Sequence, residues 1–473
     1  MTTMDISAKR PPSEVPTVPP RGANEARVLS LGQQRLWYLA QLAPNSGVYN
    51  VPYSSRIRGP LNIEAFEKAL NSIVDRHEVL RTVILAPGGK PVPLLLPKWA
   101  LRLKVADLRH LPEDEREAEA QRVLHGESSR PFNFARDLML RCTLIRRSDE
   151  DYTFLHVAPH MAFEGSSVTV LFRDLSTFYS AFLDGTPPLL PAMRAQYCDF
   201  ALWQQNLLQG ERLEILSRFW RDRLSGAPLI NLPVDLPRPA IHTMRGTRRF
   251  FALPSDLVAA YQRIFLEIGT TPYRGLGAAF NTFLYVYTGQ TDFSVGSPFF
   301  PRCTGIEDMI GFFVNTVVVR SDLSGNPTFR ELLKRSDGVV RDAIKHSDLT
   351  FDKLVEAVRP ARDTSRGPLF QVNYRAPKEV WPTLELKGLT AERPRYLDNG
   401  TSKFDLALEI ESSCGEACYF EYCVDLWKEE TIDQMIIDFQ TLLRALICQL
   451  DTPLDAVPEV VVIASRVRKR RVS

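Results

Sequence analysis

The sequence has little of what would place it in a special class of protein. Its 473 residues include only 7 cysteines, an odd number spread along the chain, which does not suit a disulfide framework. A formal net charge of +2 gives no overall bias toward nucleic acid or membrane surfaces. No apolar run approaches the length of a membrane span. We therefore expect a monomeric cytoplasmic protein that binds neither nucleic acid nor membrane.

Short motifs of nucleotide, protease and hydrolase chemistry are also missing. The sequence has no GxxxxGK[ST], no GxGxxG after a strand, no HExxH and no GxSxG. Cys414, Cys418 and Cys423 are close together, but they form no CxxC pair, and no histidine is near. The alternation in "ACYFEYCVDLW" predicts a strand there rather than a zinc site.

The length of the chain and its Pro-rich stretches predict two lobes with flanking tails. Residues 1–26 have no apolar centre and predict a disordered, Pro-rich leader. The stretch "DGTPPLLPAMRAQ" indicates a linker, giving an N-terminal lobe over residues 27–190 and a C-terminal lobe over residues 191–462. Residues 463–473 carry five basic groups and predict a solvated, disordered tail, with docking to an acidic partner protein as the alternative.

Both halves alternate helical and strand patterns, which predicts a mixed α/β fold. In "GPLNIEAFEKALNSIVDRHEVLRTVI", Ile63, Phe66, Leu70, Ile73, Val74 and His77 share one stripe at helical spacing. A hairpin turning at residues 148–151 is expected to deliver a strand to His160. The helix after it is expected to be capped by Ser166 or Ser167 and to close at Gly185.

The stretch "HVAPHMAFEG" contains the clearest candidate for chemistry. His156, His160 and Glu164 are spaced i, i+4, i+8, which on a helix would suggest a metal site, but Pro159 and the strand before it argue against a helix. We therefore expect no metal. A histidine in a strand-to-helix loop can act as a general base near neutral pH, although such histidines are more often structural. The residues alone leave both interpretations open.

Several strings, in order along the chain, lead further. From about Val28 to Val460 the chain resembles the condensation domains of nonribosomal peptide synthetases. The strings that carry the resemblance are "LSLGQQRLWYLAQLAPNSGVYNVP", "RHEVLRT", "YCDFALWQ", "IGFFVNTVVVR" and "RDTSRGPLFQVNY".

The resemblance implies two lobes similar to chloramphenicol acetyltransferase, arranged in a V-shaped pseudo-dimer with a central tunnel. It also implies transfer of an acyl or peptidyl group from a carrier-protein thioester to an acceptor amine or hydroxyl, which is small or itself carrier-bound. The substrate arrives on the phosphopantetheine arm of that carrier protein, and no cofactor is expected on the chain itself. Positioning the acceptor against the thioester carbonyl would supply most of the catalysis.

The central motif of the family, HHxxxDG, is altered here to "PHMAFEG". Pro159 replaces the first histidine, His160 keeps the second, Glu164 replaces the aspartate, and Gly165 is kept. The resemblance implies that His160 is the base or positioning group and that Glu164 pairs with an arginine of the other lobe. We expect Arg302 to be that arginine. The residues expected to line the tunnel are Ser167, Asn315, Gln371 and Ser402.

Two functional classes remain. The first is a free-standing condensation enzyme in natural-product biosynthesis, since the sequence shows no adenylation domain and no carrier attachment motif. Backbone N–H groups near Gly165 and the helix after it would then stabilise negative charge. The second is a catalytically degenerate module that docks carrier proteins or tailoring enzymes, with which the changes at Pro159 and Glu164 are compatible. Epimerase-type and cyclization-type relatives are disfavoured because their motifs are absent.

Overall fold

The computed structural model describes residues 15–377 and 382–472, which form two six-stranded sheets, a small two-stranded sheet and the helices around them. The helices are α1 (Leu31–Leu42), α2 (Ile63–Arg76), α3 (Glu113–Ser129), α4 (Gly165–Asp184), α5 (Tyr197–Leu207), α6 (Gly210–Leu224), α7 (Ser255–Ile268), α8 (Pro272–Thr288), α9 (Phe329–Lys345), α10 (Phe351–Val358), α11 (Glu429–Cys448) and α12 (Pro458–Val472). The strands are β1 (Asn50–Arg58), β2 (Thr82–Leu85), β3 (Val92–Leu95), β4 (Lys104–Asp107), β5 (Arg141–Arg146), β6 (Asp151–Pro159), β7 (Gly246–Phe251), β8 (Asp292–Phe299), β9 (Asn315–Asp322), β10 (Val372–Arg375), β11 (Thr390–Ala391), β12 (Arg395–Tyr396), β13 (Leu406–Glu409) and β14 (Cys418–Cys423).

The N-terminal lobe is built on a sheet with the strand order β11-β1-β6-β5-β4, in which β12 also pairs with β1. The predicted hairpin is confirmed as β5 and β6, which run antiparallel. The predicted amphipathic helix is confirmed as α2, and the Phe66 ring meets the Phe154 ring of β6 edge-on at 5.0 Å. β6 is buried from Tyr152 to Pro159, because β1 and β5 flank it and helices cover it. The end of β6 is therefore a fixed point from which the chain leaves the sheet.

The C-terminal lobe has a second sheet with the order β7-β14-β13-β10-β8-β9. β10 runs parallel to both of its neighbours, and the remaining pairs are antiparallel. Phe280 and Phe283 of α8 pack against Phe420 of β14 and Phe439 of α11. The strand predicted around Cys418 is confirmed as β14, where Cys418 and Cys423 are buried free thiols.

Segments of the second half of the chain enter the first lobe. β11 and β12 pair with β1, and Met309, Ile310, Phe312 and Phe313 belong to the apolar core of the N-terminal lobe. The predicted division into residues 27–190 and 191–462 does not describe these crossings. They are decided by long-range packing, which leaves no local signal in the sequence.

The predicted leader lies partly outside the described residues, which begin at Val15. The described part is attached to the protein: Val18 is buried, and its N–H donates to the Thr304 carbonyl at 3.0 Å. The Thr304 N–H in turn donates to the carbonyl of Pro16 at 3.0 Å. From Pro16 onward, the expected disordered leader is therefore replaced by a segment bound to the loop around Thr304.

The expected disorder of the tail is wrong for residues 463–470, because α12 continues through them, whereas the basic side chains of residues 466 and 468–470 are exposed as predicted. Val460, Ile463 and Val467 recur at helical spacing and are buried, so the basic residues between them lie on an amphipathic helix. Arg466 pairs with the buried carboxylate of Asp438 on α11. Ser473 lies outside the described residues.

No helix within residues 15–377 and 382–472 combines the length and the apolar character that crossing a membrane requires. Across the same ranges no three His, Cys, Asp or Glu side chains group in a way that could hold a metal ion. The cytoplasmic location and the monomeric state stay predictions.

Candidate active site

The candidate site lies where β6 passes into α4. β6 ends at Pro159, His160 follows in a turn, and α4 begins at Gly165. The predicted close of this helix at Gly185 is confirmed, since Gly185 adopts φ +65°, which glycine tolerates without strain. The predicted N-cap is wrong: Glu164 rather than a serine occupies that position.

His160 is partly buried and held in one orientation. Its backbone N–H donates to the Tyr49 carbonyl at 2.7 Å, and its Nδ1 lies 3.0 Å from the Phe163 carbonyl. Because a carbonyl oxygen can only accept, Nδ1 carries the proton and donates it, which leaves Nε2 with its lone pair available. The Phe312 ring meets the imidazole edge-on at 4.8 Å.

Burial lowers the pKa of His160 to about 3, and the positive charges of Lys403 and Arg35 act in the same direction. The imidazole is therefore neutral throughout the physiological range. A neutral ring with a free Nε2 can accept a proton or orient a hydrogen-bond donor. At this pKa it is a weak base, so positioning must account for much of its contribution.

Pro159 takes the place at which the resemblance predicts a histidine. It closes the ladder between β6 and β1 opposite Asn50, and its carbonyl accepts the Ala162 N–H at 2.9 Å. Proline has no side-chain donor or acceptor, so it supplies shape rather than chemistry. The tight turn from Pro159 to Ala162 places His160 directly beyond the sheet.

Glu164 is 3% exposed, and its carboxylate is surrounded by hydrogen-bond donors. Oε2 accepts the backbone N–H groups of Phe313 at 3.1 Å and Val314 at 2.9 Å, and Oε1 accepts the Ser166 hydroxyl at 2.8 Å. Burial raises the pKa of Glu164 to about 7, against the opposing effect of these three hydrogen bonds. This carboxylate ties the crossing segment to the start of α4.

The predicted partner Arg302 is not among the groups that contact Glu164 in the described parts of the chain. The reason is the course of the chain after Arg302, which lays the backbone of Phe313 and Val314 over the start of α4. The N–H groups of both residues donate to the same oxygen of Glu164, Oε2. The prediction of a Glu164–Arg302 ion pair is therefore replaced by a contact between side chain and backbone.

The crossing segment, defined here as residues 308–314, is fixed at several further points. Asp308 forms an ion pair with Arg173, and the Tyr197 hydroxyl donates to the Phe312 carbonyl at 2.7 Å. Ser167 Oγ lies 3.1 Å from both the N and the O of Gly311. A Cβ at Gly311 would lie 2.2 Å from the Tyr197 ring, so only glycine fits there. These ties hold Phe312 against His160.

Ser167 was expected to line the tunnel, but it is fully buried in this tie. Asn315 is engaged as well: its side-chain amide donates to the carbonyls of Ser347 at 2.8 Å and Leu349 at 2.7 Å, and its oxygen accepts the Phe351 N–H at 3.0 Å. Both side chains therefore hold backbone in place.

Gln371 and Ser402 are also buried, at 1% and 0% exposure. Gln371 donates to the Gly367 carbonyl at 3.0 Å, and its Oε1 has no hydrogen-bond partner among the described residues. The Ser402 hydroxyl donates to the Phe404 carbonyl at 2.7 Å. Both are tied within the C-terminal lobe, and a role for them in a tunnel stays a prediction.

A small crevice opens beside Phe312, between α1 and the start of α10. Asn315 lies on its wall, together with Arg35 and Asp352, which form an ion pair at 3.6 Å between the two lobes. Three residues of the site were not predicted from the sequence: Arg35, Phe312 and Lys403. Arg35 and Phe312 lie inside strings quoted for the resemblance, whereas nothing in the local sequence indicates Lys403.

His156, the other histidine of the stretch, lies below the site in a cage of aromatic rings. The rings of Tyr53, Phe154, Phe163 and Phe172 have centroids 5.6–5.8 Å from the imidazole. Neither ring nitrogen has a hydrogen-bond partner in the described structure, and burial lowers the pKa of His156 to about 3. His156 lies on β6 and His160 in the turn that follows, so the two histidines do not share a helix face.

Comparison with known sequences gives a consistent result. The family profile described as "Condensation domain" matches residues 24–460. One of the linear gramicidin synthase proteins of Brevibacillus parabrevis is 40% identical over 451 residues, which are 94% of this chain and 6% of that protein. Phosphinothricin tripeptide synthetase PhsC of Streptomyces viridochromogenes is 37% identical over 458 residues, 96% of this chain and 42% of that protein. The chain thus spans less than half of the length of either relative.

Solved structures agree with this comparison. The X-domain from teicoplanin biosynthesis is 27% identical, with a TM-score of 0.81, and the match covers 92% of this chain and 100% of that domain. A complex of the X-domain with OxyB gives the same TM-score at 26% identity and covers 94% of this chain and 98% of that one. The predicted mixed α/β fold in two lobes similar to chloramphenicol acetyltransferase is confirmed. The chain belongs to the condensation domain family of nonribosomal peptide synthetases.

Proposed function

We propose that this protein transfers an acyl or peptidyl group from a carrier-protein phosphopantetheine thioester to an acceptor amine or hydroxyl, forming an amide or an ester. One observation carries the proposal: His160, which keeps the essential position of the motif, has Nδ1 bound to the Phe163 carbonyl and Nε2 available. This is the tautomer needed to accept a proton from an acceptor.

The reaction follows from this geometry. The acceptor is held against the thioester carbonyl, which makes a bimolecular step effectively intramolecular. Nε2 of His160 orients the acceptor and takes its proton as the new bond forms. The same proton then passes to the departing thiolate of the phosphopantetheine arm, so His160 ends the cycle neutral. Phe312, packed on the ring, limits the imidazole to this orientation.

Glu164 acts through the backbone in this proposal. Its carboxylate binds the crossing segment, and that segment carries Phe312 to His160. The longer acid and Pro159 thus preserve the position of the histidine although the motif has changed. The phosphopantetheine arm is part of the substrate and arrives on the carrier protein.

The test is reconstitution with an acyl-loaded carrier protein and a panel of amine and alcohol acceptors, with the product identified by mass spectrometry. We expect product with the wild type and a loss of at least about 100-fold with His160→Ala, the low end for removing a general base. His125→Ala, at an exposed histidine of α3, is the matched control and should keep the wild-type rate. Equal turnover by wild type and His160→Ala would contradict the proposal.

A second candidate function is a binding module that docks a carrier protein or a tailoring enzyme. Two observations favour it: the motif has lost its first histidine, and one structural neighbour is solved in a complex with a second protein, OxyB. The same reconstitution separates the two. Tight carrier binding without product, unaffected by His160→Ala, would support the module in place of the enzyme.

A further inference from the structure

Lys403 lies in the loop between β12 and β13, where the two lobes meet. The seam is defined here as this boundary and the charged residues along it, which are Lys403, Arg35, Arg248, Arg375 and Glu421. The residue before it anchors this loop to the C-terminal lobe, because the Ser402 N–H donates to the Met244 carbonyl at 3.0 Å. Gly246 of β7 leaves room for this packing, since a Cβ there would lie 2.3 Å from Cβ of Ser402. The backbone that carries Lys403 is therefore fixed.

The same loop also contacts the N-terminal lobe beside His160. The Asn399 amide donates to the carbonyls of Gly47 at 3.2 Å and Asn50 at 3.4 Å. The Lys403 ammonium lies 5.0 Å from the centroid of the Tyr49 ring. Tyr49 is the residue whose carbonyl accepts the backbone N–H of His160. The ammonium is near enough to His160 for its charge to lower the pKa of the imidazole.

Lys403 also differs from the other cations of the seam in its pairing. Three arginines whose charges act on Lys403 each have a carboxylate of their own: Arg248 with Glu421 at 2.7 Å, Arg375 with Glu409 at 3.0 Å, and Arg35 with Asp352 at 3.6 Å. Within residues 15–377 and 382–472, Lys403 has neither a hydrogen bond nor an ion pair, and its contact is the Tyr49 ring. Among these four cations, Lys403 is therefore the one without a carboxylate partner in the described residues.

The reaction proposed above needs such a charge. Attack on a thioester places negative charge on the carbonyl oxygen, and a neutral His160 can receive the acceptor proton but does not stabilise that oxygen. The start of α4, expected from the sequence to do so, is occupied by the Glu164 carboxylate. An acidic group at a helix N-terminus uses the partial positive charge there and disfavours a second anion. Stabilisation of the oxygen has to come from elsewhere.

We infer that Lys403 is a catalytic residue supplied by the C-terminal lobe, whose ammonium contacts the thioester oxygen while that oxygen carries negative charge. The inference rests on the proposed function. The acceptor nitrogen or oxygen bonds to the carbonyl carbon, the carbonyl π electrons move to oxygen, and the acceptor proton passes to Nε2 of His160. The carbonyl then re-forms, the C–S bond breaks, and the thiolate takes the proton from His160. Lys403 makes and breaks no covalent bond.

The seam also sets the pH range in which this charge exists. Burial lowers the pKa of Lys403 to about 8; the charges of Arg375, Arg248 and Arg35 act in the same direction, and Glu421 opposes them. The ammonium is therefore present below about pH 8 and is lost above it. Other titratable groups surround the seam. Tyr49, Tyr396 and Tyr419 have pKa values raised by burial and stay neutral through this range. Burial acts to raise the pKa of Glu421, but the charges of Arg248 and Arg375 lower it, so this carboxylate stays charged.

The experiment compares Lys403→Met, Lys403→Arg and the control Lys90→Met, at an exposed lysine, in the carrier-protein reconstitution. With saturating acceptor, Lys403→Met should lower kcat by 100- to 1,000-fold, the loss seen when one oxyanion donor is removed, with little change in KM for the loaded carrier. Lys403→Arg should recover most of the rate, because it keeps the charge. Lys90→Met should match the wild type.

The pH profile supplies a second readout, which does not require Lys403→Met to fold. With a weakly basic amine acceptor that stays unprotonated throughout, wild-type turnover should fall as the pH rises through about 8. In Lys403→Arg this limb should move to higher pH, because a guanidinium keeps its proton. An unchanged limb in Lys403→Arg, or turnover of folded Lys403→Met within threefold of the wild type, overturns the inference.

Failure of the proposed function gives a different result. If the wild type forms no product with any acceptor, both the function and the role of Lys403 are overturned. If the wild type and His160→Ala differ as expected while the Lys403 variants match the wild type, only the inference about Lys403 falls.

Discussion

The two sides of the His160 site are built in opposite ways. On the N-terminal side, His156 is enclosed by four aromatic rings and has no hydrogen bond within the described residues. On the C-terminal side, the seam holds ionised groups, such as Arg248 and Glu421, which are each only 7% exposed. One side is lined by aromatic rings, and the other by ion pairs beside the Lys403 ammonium, which has no carboxylate partner in the described residues.

The difference shows what each lobe contributes. Burial keeps His160 neutral by making its charged form costly, and the charges of Lys403 and Arg35 act in the same direction. In a wall of paired charges, the carboxylate of each arginine offsets the desolvation cost of burying it, so that positive charge can be held near the reacting atoms. In the proposed reaction, the first lobe supplies His160, which accepts a proton, and the second lobe supplies the positive charge of Lys403.

Removing the buried Arg248–Glu421 ion pair of the seam should have the largest effect on stability. Arg248→Met leaves Glu421 buried without its partner and removes the guanidinium from the Tyr396 ring, 3.9 Å away. We expect a loss of about 3–5 kcal/mol in the free energy of unfolding, measured by urea denaturation. Arg249, the next residue of β7, is half-exposed and paired with Asp433, so Arg249→Met should stay within the error of the measurement. If Arg248→Met and Arg249→Met lower the free energy of unfolding by similar amounts, the buried Arg248–Glu421 pair contributes no more to stability than the exposed pair.

Removing the Glu164 carboxylate, which binds the crossing segment, should lower the free energy of unfolding by a smaller amount. Glu164→Ala leaves the N–H groups of Phe313 and Val314 buried without an acceptor, and we expect a loss of about 2–4 kcal/mol. Glu164→Gln keeps an acceptor oxygen and should lose about 1 kcal/mol or less. Because Arg302 is not among the contacts of Glu164, Arg302→Met and Glu164→Ala should be additive in a double-mutant cycle. A coupling of more than about 1 kcal/mol would restore the ion pair expected from the sequence.

Replacing His156 inside its cage of aromatic rings should raise the free energy of unfolding, and this effect should be the smallest of the three. His156→Phe replaces two buried ring nitrogens that lack partners with a ring that matches its surroundings, and we expect a gain of about 1–2 kcal/mol. The control is Phe154→His, which adds a second unpartnered imidazole to the cage and should destabilise the protein.

The pH dependence of stability checks the same point. The pKa of His156 is lowered to about 3 in the folded protein, so between that value and the ordinary value near 6.5 the unfolded chain binds a proton that the folded protein does not. Stability therefore falls as the pH drops through this window. His156→Phe should fall less steeply, and an equal slope in both proteins would place the proton uptake elsewhere.

The elements with strong local patterns were predictable. The stripe of α2, the β5–β6 hairpin, the strand around Cys418 and the helix end at Gly185 each follow from residues close together in sequence. The expected disordered tail is instead the end of α12. The helical spacing of the buried Val460, Ile463 and Val467 indicates this helix, although five basic groups lie in the same segment. Local pattern identified the position of His160 but not its partners.

By itself, the sequence determined the fold class, the family and the central place of His160, because collinear motifs and short-range periodicity record these properties directly. Only the tertiary structure decided what surrounds that histidine. The crossing segment brings backbone N–H groups to Glu164 in place of Arg302, and a loop more than 240 residues away brings Lys403 to the seam. Such contacts depend on how two sheets pack together, and the energy of that packing is spread over many weak, distant pairs that leave no local pattern.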